Sequence, residues 1–395
     1  MKTKLLFVMN NLQCGGAEKA LISLLHAIDY KKYAVDLLLF KKEGEFLNIV
    51  PNEVAILNEL EEFRYFDGRF LDNVLKAISS RRFDLAISRI KAARIFRTEK
   101  NGAVCEQKVW KYISTCLSNV KKEYDVAIGF LEKNPIYFCL EKVRAKRKIG
   151  FVHNDYKQMG MDKMLDLPYF QQLDSIMTVS ESCAEVLRQE FPEHQQKIKV
   201  IQNILSKSTI HTLAMNEMPL PFQGLKLLSI GRLHRQKGFD LALETAALLK
   251  KKGVPFLWLI LGEGSERESL IQLSRKYQLE EQVKFIGVKE NPYPYIRWAD
   301  AYIQPSRFEG KAIAVEEAKI LYKPVIVTNY STSGDQIIHG QTGLIANMTA
   351  ESLADSIVQL FADESLQHQL IEGLRKEKLG TEDEIMRFYQ YIKVG

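Results

Sequence analysis

Residues 225–252 read LKLLSIGRLHRQKGFDLALETAALLKKK. The first six, Leu225–Ile230, are short and apolar and stop at a glycine, which predicts a buried strand. Lys237–Lys252 predicts a helix. Between them lies a basic loop, Gly231-Arg232-Leu233-His234-Arg235-Gln236-Lys237-Gly238. Strand, loop and helix form the repeating unit of a parallel α/β sheet, and the loop at the strand's carboxyl end is where such sheets hold phosphate. Arg232 offers a planar donor fork and Lys237 a mobile point charge. The plain alternative is a basic turn with no ligand.

The alternation continues in both directions. Downstream, Phe256–Leu261, Val283–Ile286, Ala301–Gln304 and Pro324–Thr328 read as strands, Ser265–Tyr277 as a helix, and roughly 350–378 and 382–393 as terminal helices. Upstream, Leu5–Met9 reads as a strand, Asn10–Gly16 as a loop, Ala17–Ile28 as a helix and Val35–Phe40 as the next strand. Val126–Phe130, Lys148–Val152, Ser175–Val179 and Lys199–Ile201 follow as strands. The pattern lapses near 206–224, where the proline-bearing stretch Met215–Gly224 lacks periodicity and reads as a linker. The expected organisation is a domain over 1–206, a linker over 207–224, a second domain over 225–378, and a C-terminal helix over 379–395 that returns toward the first domain.

A second candidate stretch follows the predicted strand Ala301–Gln304: Pro305-Ser306-Arg307-Phe308-Glu309-Gly310-Lys311-Ala312-Ile313-Ala314-Val315-Glu316-Glu317-Ala318. It too enters a helix. Gly310 permits close backbone approach. The amides of Lys311 and Ala312 at the helix start are expected to point toward phosphate, with Ile313 behind them. Glu309 suits sugar hydroxyls and Glu317 a ribose diol. Glu-x7-Glu alone is weak, because helices are rich in Glu; its place after strand and loop gives it weight.

Transfer of a sugar from a nucleotide leaves a growing negative charge on a diphosphate, which something positive must stabilise. One solution is a metal held by Asp-x-Asp, and this sequence has no Asp-x-Asp. The other uses Arg, Lys and helix N-termini. No metal is expected.

Composition bounds the rest. The chain has 395 residues, 46% hydrophobic and 26% charged, as in an ordinary globular protein. Its formal charge is +6, but residues 76–148 carry 18 Lys/Arg and 7 Asp/Glu. That basic first half suits an anionic partner, whether membrane lipid, a lipid-diphosphate carrier or nucleic acid; the bland reading is solvated basic helices. Within it, Arg81–Lys100 reads as an amphipathic helix. Phe83, Ile87, Ile90, Ala93 and Ile95 are its greasy side, flanked by Arg and Lys. Such a helix can lie on an anionic membrane or pack on the domain with its basic face in water. The five cysteines form no Cys-x-x-Cys pair, which argues against a disulfide framework or zinc site and for a reducing, cytoplasmic setting. The apolar run Leu5–Met9 is too short for a signal-peptide core, and Phe256–Leu261 is far too short to span a bilayer.

Together these motifs resemble the family-4 retaining glycosyltransferases of the GT-B fold, of the bacterial cell-surface polysaccharide type. The resemblance covers nearly the whole chain. It rests on Gly15-Gly16-Ala17-Glu18, Val179-Ser180-Glu181, Ile201-Gln202-Asn203, Gly231-Arg232-Leu233 with Lys237-Gly238, and Glu309-x7-Glu317 followed by Pro324-Val325-Ile326. It implies two Rossmann-like α/β domains with a cleft between them. It implies a metal-independent transfer with retention from a nucleoside-diphosphate sugar, UDP-linked first and GDP-linked second. The acceptor is a glycan or lipid-linked saccharide; nucleic acid is not a partner. By the resemblance Arg232 and Lys237 bind the diphosphate, Glu317 the ribose, Glu309 the donor sugar, and Gly15 and Gly16 face phosphates and acceptor. His153, in Phe151-Val152-His153-Asn154-Asp155, reads from its residues alone as a cap or packing group; the resemblance implies a hydrogen bond to the sugar. Asp155 reads as a loop cap or an acceptor contact. One departure stands out: Lys311-Ala312 occupies positions where many members have Phe-Gly, which points to a charged or unusual donor. Peripheral contact with the inner face of a membrane fits a lipid-linked acceptor. The competing classes are an epimerase or hydrolase of the same fold and a non-catalytic glycan- or lipid-binding subunit. A dinucleotide-binding turn is disfavoured because Gly-x-Gly-x-x-Gly is absent.

Overall fold

The computed structural model describes residues 2–13, 15–216 and 221–393. Cys14 and residues 217–220 of the predicted linker lie outside the described residues. The chain divides into two compact units. One comprises Met1–Gln13, Ala17–Gln202 and Asp383–Gly395; the other comprises Cys14–Gly16 and Asn203–Glu382.

The first unit holds a parallel sheet of β1 (Thr3–Met9), β2 (Tyr33–Leu39), β3 (Val54–Ile56), β4 (Tyr124–Gly129), β5 (Ala145–Val152), β6 (Ser175–Thr178) and β7 (Ile198–Val200). Their order is β3-β2-β1-β4-β5-β6-β7. The second holds β8 (Leu225–Ile230), β9 (Phe256–Leu261), β10 (Val283–Phe285), β11 (Ala301–Gln304), β12 (Val325–Thr328) and β13 (Leu344–Ala346), in the order β10-β9-β8-β11-β12-β13. Each sheet reverses direction once, between β1 and β4 and between β8 and β11. Such a switch opens a crevice at the carboxyl ends of the two strands. The two motif stretches of the second unit, 231–238 and 305–312, leave β8 and β11 at its switch point.

The strands are apolar on both sides because helices cover both faces. Leu227, Trp258, Ile260 and Ile303 enter one core of the second unit. Their neighbours Leu228, Leu259, Leu261 and Tyr302 enter the other. The strand signal is strongest where burial is complete, as in Leu5–Met9, all fully buried.

Some elements differ from the sequence expectation. A helix, Lys207–Leu213, stands inside the predicted linker; it is capped by the Ser206 side chain, which accepts from the Thr209 amide. The long helix expected over 350–378 is two helices, Ala350–Ala362 and Glu364–Lys376, divided at Asp363, whose side chain caps the second. The helix after β8 begins at Phe239, preceded by a short 3-10 turn at Arg235–Lys237. The last helix, Glu384–Ile392, packs in the first unit: Phe388 stacks on Phe7 at 6.2 Å and Tyr389 on Tyr33 at 4.9 Å.

Candidate active site

The loops that leave β8, β9 and β10 touch one another backbone to backbone. The Gly231 amide donates to Leu261 O at 2.9 Å, the Leu233 amide to Glu263 O at 2.9 Å, and the Gly262 amide to Gly287 O at 2.9 Å. A Cβ at Gly262 would collide with the Gly231 carbonyl oxygen, and one at Gly264 with that of Leu233. The sequence led us to expect the backbone before Glu263, and that around Phe285–Val288, to face the base, but gave no sign of Gly264, which no fixed spacing marks.

The second contact joins the loops after β8 and β11. Gly238 has φ +67°, and a Cβ there would collide with the carbonyl oxygen of Pro305. Only glycine satisfies both conditions. The Arg307 amide donates to Gln236 O at 2.7 Å, and Gln236 Nε2 donates to Phe308 O at 2.9 Å. The Arg307 guanidinium grips Asp240 with two bonds, 2.9 and 2.6 Å. Burial pushes the Asp240 carboxyl up, but the Arg307 hydrogen bonds and charge outweigh it and hold it below its usual range.

This seam brings Lys237 and Glu309 together. Lys237 Nζ lies 2.6 Å from Glu309 Oε1. Ser306 Oγ also donates to Glu309 Oε1 at 2.6 Å, and Gln304 Nε2 at 3.1 Å. Thr332 Oγ1 donates to the Glu309 carbonyl at 2.9 Å. Gln304 is itself fixed by the Tyr302 hydroxyl at 2.6 Å. A nearly buried carboxylate needs such donors. Gln304, Ser306 and Thr332 are the supports that sequence reasoning missed. Their signal is weak: short polar residues beside a strand end are common.

Arg232 is exposed on the same loop. Glu317, on the helix Ile313–Ile320, is buried and accepts from the Tyr293 hydroxyl at 2.9 Å. Gly310 and Ile313 are buried. The Ala312 amide does not point freely to a ligand, as its place at the helix start suggested. It donates to Gln336 Oε1 at 2.9 Å, while Gln336 Nε2 donates to Ala312 O and to Glu316 Oε1. Lys311 Nζ stands 3.9 Å from Glu316 Oε1, so a carboxylate of the chain already balances part of its charge.

In the first unit, His153 follows β5 and is buried. Its amide donates to the buried Glu132 Oε2 at 3.1 Å, and its ring packs against both Phe130 and Phe151, which also touch each other. Its Nε2 is buried without a hydrogen-bond partner. Burial pushes its pKa down to about 4, against a smaller opposite pull from a hydrogen bond to the Phe130 backbone. The ring is therefore neutral at pH 7. Gly15 lies in the loop after β1, and Gly16 opens the helix Gly16–Ala27. A Cβ at Gly16 would meet nothing within 4 Å, so packing does not demand glycine there.

Residues 215–377 match the family model of glycosyl transferases group 1. The chain is 28% identical over 207 residues to the lipopolysaccharide core biosynthesis glycosyltransferase LpsE of Rhizobium meliloti, covering 52% of this chain and 59% of that protein. It is 24% identical over 311 residues to the lipopolysaccharide core biosynthesis glycosyltransferase LpsD of the same organism, covering 77% of this chain and 87% of that protein. Its fold matches the crystal structure of Anabaena HepE in complex with UDP-glucose with a TM-score of 0.69, 14% identity, and 98% of each chain covered. The chain thus spans about six tenths of LpsE and most of LpsD. The two parallel-sheet Rossmann-like domains have the α/β, GT-B fold that the motifs and the resemblance implied. The group 1 match contains the whole Lys237–Glu309 seam and Glu317.

Proposed function

We propose that the chain is a retaining, metal-independent glycosyltransferase that moves a sugar from a UDP-sugar to a saccharide or lipid-linked saccharide during cell-surface polysaccharide assembly. The observation that carries this reading is the Lys237–Glu309 pair, held at 2.6 Å on the loops that leave the two switch-point strands of the second unit. A cation and a carboxylate fixed side by side suit a diphosphate next to a sugar. Lys237 and Arg232 stabilise the departing phosphate charge. Glu309 takes the sugar hydroxyls, and Glu317 the ribose. Diphosphate entry shares Lys237 with Glu309 and leaves Ser306 and Gln304 to hold the carboxylate. The glycine-lined backbone of Gly262 and Gly287 suits the base, which approaches main chain rather than side chains. A leaving β-phosphate oxygen takes the acceptor proton. The neutral His153 ring donates or accepts one hydrogen bond to the sugar and carries no charge into the reaction. Gly15 and Gly16 are assigned to phosphates and acceptor. The names of LpsE and LpsD support a surface-polysaccharide setting, and the UDP-glucose bound to HepE supports uridine. The cytoplasm supplies such donors, so the chain is placed there.

The test is transfer from a panel of UDP- and GDP-sugars to lipid-diphosphate-linked and free saccharides, with and without EDTA. Arg232→Ala and Glu317→Ala are expected to lower turnover at least about a hundredfold, the scale of losing one transition-state donor. The anomeric configuration of the product, read by NMR, is expected to match that of the donor. Near wild-type turnover in either variant overturns the site assignment. Donor consumption without any acceptor product favours a hydrolase or epimerase instead.

A further inference from the structure

The first unit carries an apolar face that its own core leaves uncovered. Helices Phe70–Ser79 and Phe83–Thr98 form a hairpin joined at Ser80–Arg82, with Arg81 in the left-handed region at φ +56°. Of the fifteen large hydrophobic side chains exposed among the described residues, seven fall between Leu71 and Phe96. That clustering is far beyond scattered surface apolar residues.

The spacing is helical on both arms. Leu71, Leu75 and Ile78 are exposed at i, i+4 and i+7 of the first helix, while Val74 and Ala77 face the core. Phe83, Ile87 and Ile90 repeat that spacing on the second, while Leu85, Ala86 and Ala92 face the core. Each helix therefore has two apolar stripes, of which one is buried and one is not. Periodicity alone gives Arg81–Lys100 one greasy side. The structure divides that side: Ile95 packs on the core, and Phe83, Ile87 and Ile90 face solvent.

The exposed line of the second helix continues as Arg94 and Arg97, the next positions of the same repeat. No carboxylate among the described residues pairs with Lys91, Arg94 or Arg97; Asp84 is taken by Arg82 and Glu99 by Lys108. Residues 69–100 hold nine Lys/Arg and three Asp/Glu, a local charge equal to the +6 of the whole chain. A second copy of this chain brings the same positive field to the contact, which disfavours self-association. An anionic lipid surface supplies both things the face lacks: phosphate for the arginines and acyl chains for the aliphatic stripes.

We propose that this hairpin docks the protein on an anionic membrane, with Leu71, Leu75, Ile78, Phe83, Ile87 and Ile90 entering the headgroup–acyl boundary and Arg94 and Arg97 on lipid phosphates. The mode is peripheral; among the described residues no helix is long and apolar enough to cross a membrane.

The test is flotation of the full chain with vesicles of phosphatidylcholine doped with phosphatidylglycerol, against pure phosphatidylcholine vesicles. No donor or acceptor is present, so the outcome is independent of the transferase reading. The wild type is expected to float with the doped vesicles only, and to be released by high salt. Arg94→Ala/Arg97→Ala is expected to weaken partition roughly fivefold per arginine. Leu75→Asp/Ile87→Asp is expected to lose at least about tenfold, and Leu75→Ala/Ile87→Ala, which preserves helix propensity, to lose several-fold. Circular dichroism checks that the variants fold. Wild-type chain that ignores the doped vesicles, or alanine variants that float like wild type, overturns the proposal. Loss of an oligomer in the variants with vesicle binding unchanged overturns it in favour of a protein interface.

Discussion

His153 is a base that burial holds well away from its free chemistry. The unfolded chain takes up a proton near pH 6.5, whereas the folded ring resists one down to about 4. A base with a lowered folded pKa binds fewer protons folded than unfolded across that window. Its stability contribution is therefore full above about pH 6.5 and is lost as pH falls toward 4. Lowering the pH from 7 to 5 is expected to remove about 2 kcal/mol from the first unit through this residue alone. His153→Gln should abolish that share of the acid sensitivity. Urea unfolding followed by amide exchange in first-sheet peptides measures it, and equal acid losses in wild type and variant reject the assignment. At this scale the site was partly legible. Lys237, Glu309 and Glu317 announce themselves as charges at strand ends and helix starts. Gln304, Ser306 and Gln336 do not, because an uncharged polar residue shows its role only when its partner is in place. The Ala312 amide is deceptive for the same reason: helix starts do bind anions, but in this chain a glutamine side chain accepts the bond.

At the scale of elements, the loop after β8 depends on one backbone conformation. Gly238 combines φ +67° with contact against the Pro305 carbonyl, so alanine brings both strain and collision. Gly238→Ala is expected to destabilise the second unit by about 2 kcal/mol or more, seen as a fall of roughly 4–8 °C in its melting temperature. Gly16→Ala is the contrasting control. It meets nothing within 4 Å and opens a helix, so its melting temperature should stay near that of the wild type. Equal effects of the two substitutions reject a structural role for the Gly238–Pro305 contact. Strands were legible where burial is complete, because a run such as Phe256–Leu261 has no polar side to confuse its period. Of the four three-residue strands, β7 and β10 were legible and β3 and β13 were not. The break at Asp363 was hidden by apolar spacing that continues across it. A side chain that bonds the Leu366 amide divides the two helices there.

At the scale of the molecule, both sheets reverse at their first strand, and in the second unit that topology places the two candidate loops after β8 and β11. The alternation of strand and helix signals foretold two such units; the return of the last helix toward the first unit was also expected, though not from its periodicity. Periodicity shows that Glu384–Ile392 has an apolar side and is silent on its destination. The structure gives that destination through aromatic contacts. Phe388 is fully buried against Phe7 of β1, and the Asp29 amide donates to the Tyr389 hydroxyl at 2.7 Å. The first unit is therefore closed by a segment that the chain supplies only after the second unit is complete. Phe388→Ala leaves a cavity beside the central strand and is expected to cost the first unit about 3–5 kcal/mol. Because the loss falls on one unit, calorimetry should show one transition moved down by many degrees and the other in place. Peptides of β1 and β2 should lose exchange protection while those of β8 and β9 keep it. A uniform shift of both transitions would mean that the two units unfold as one, and the terminal helix would then stabilise the whole chain rather than the first unit alone.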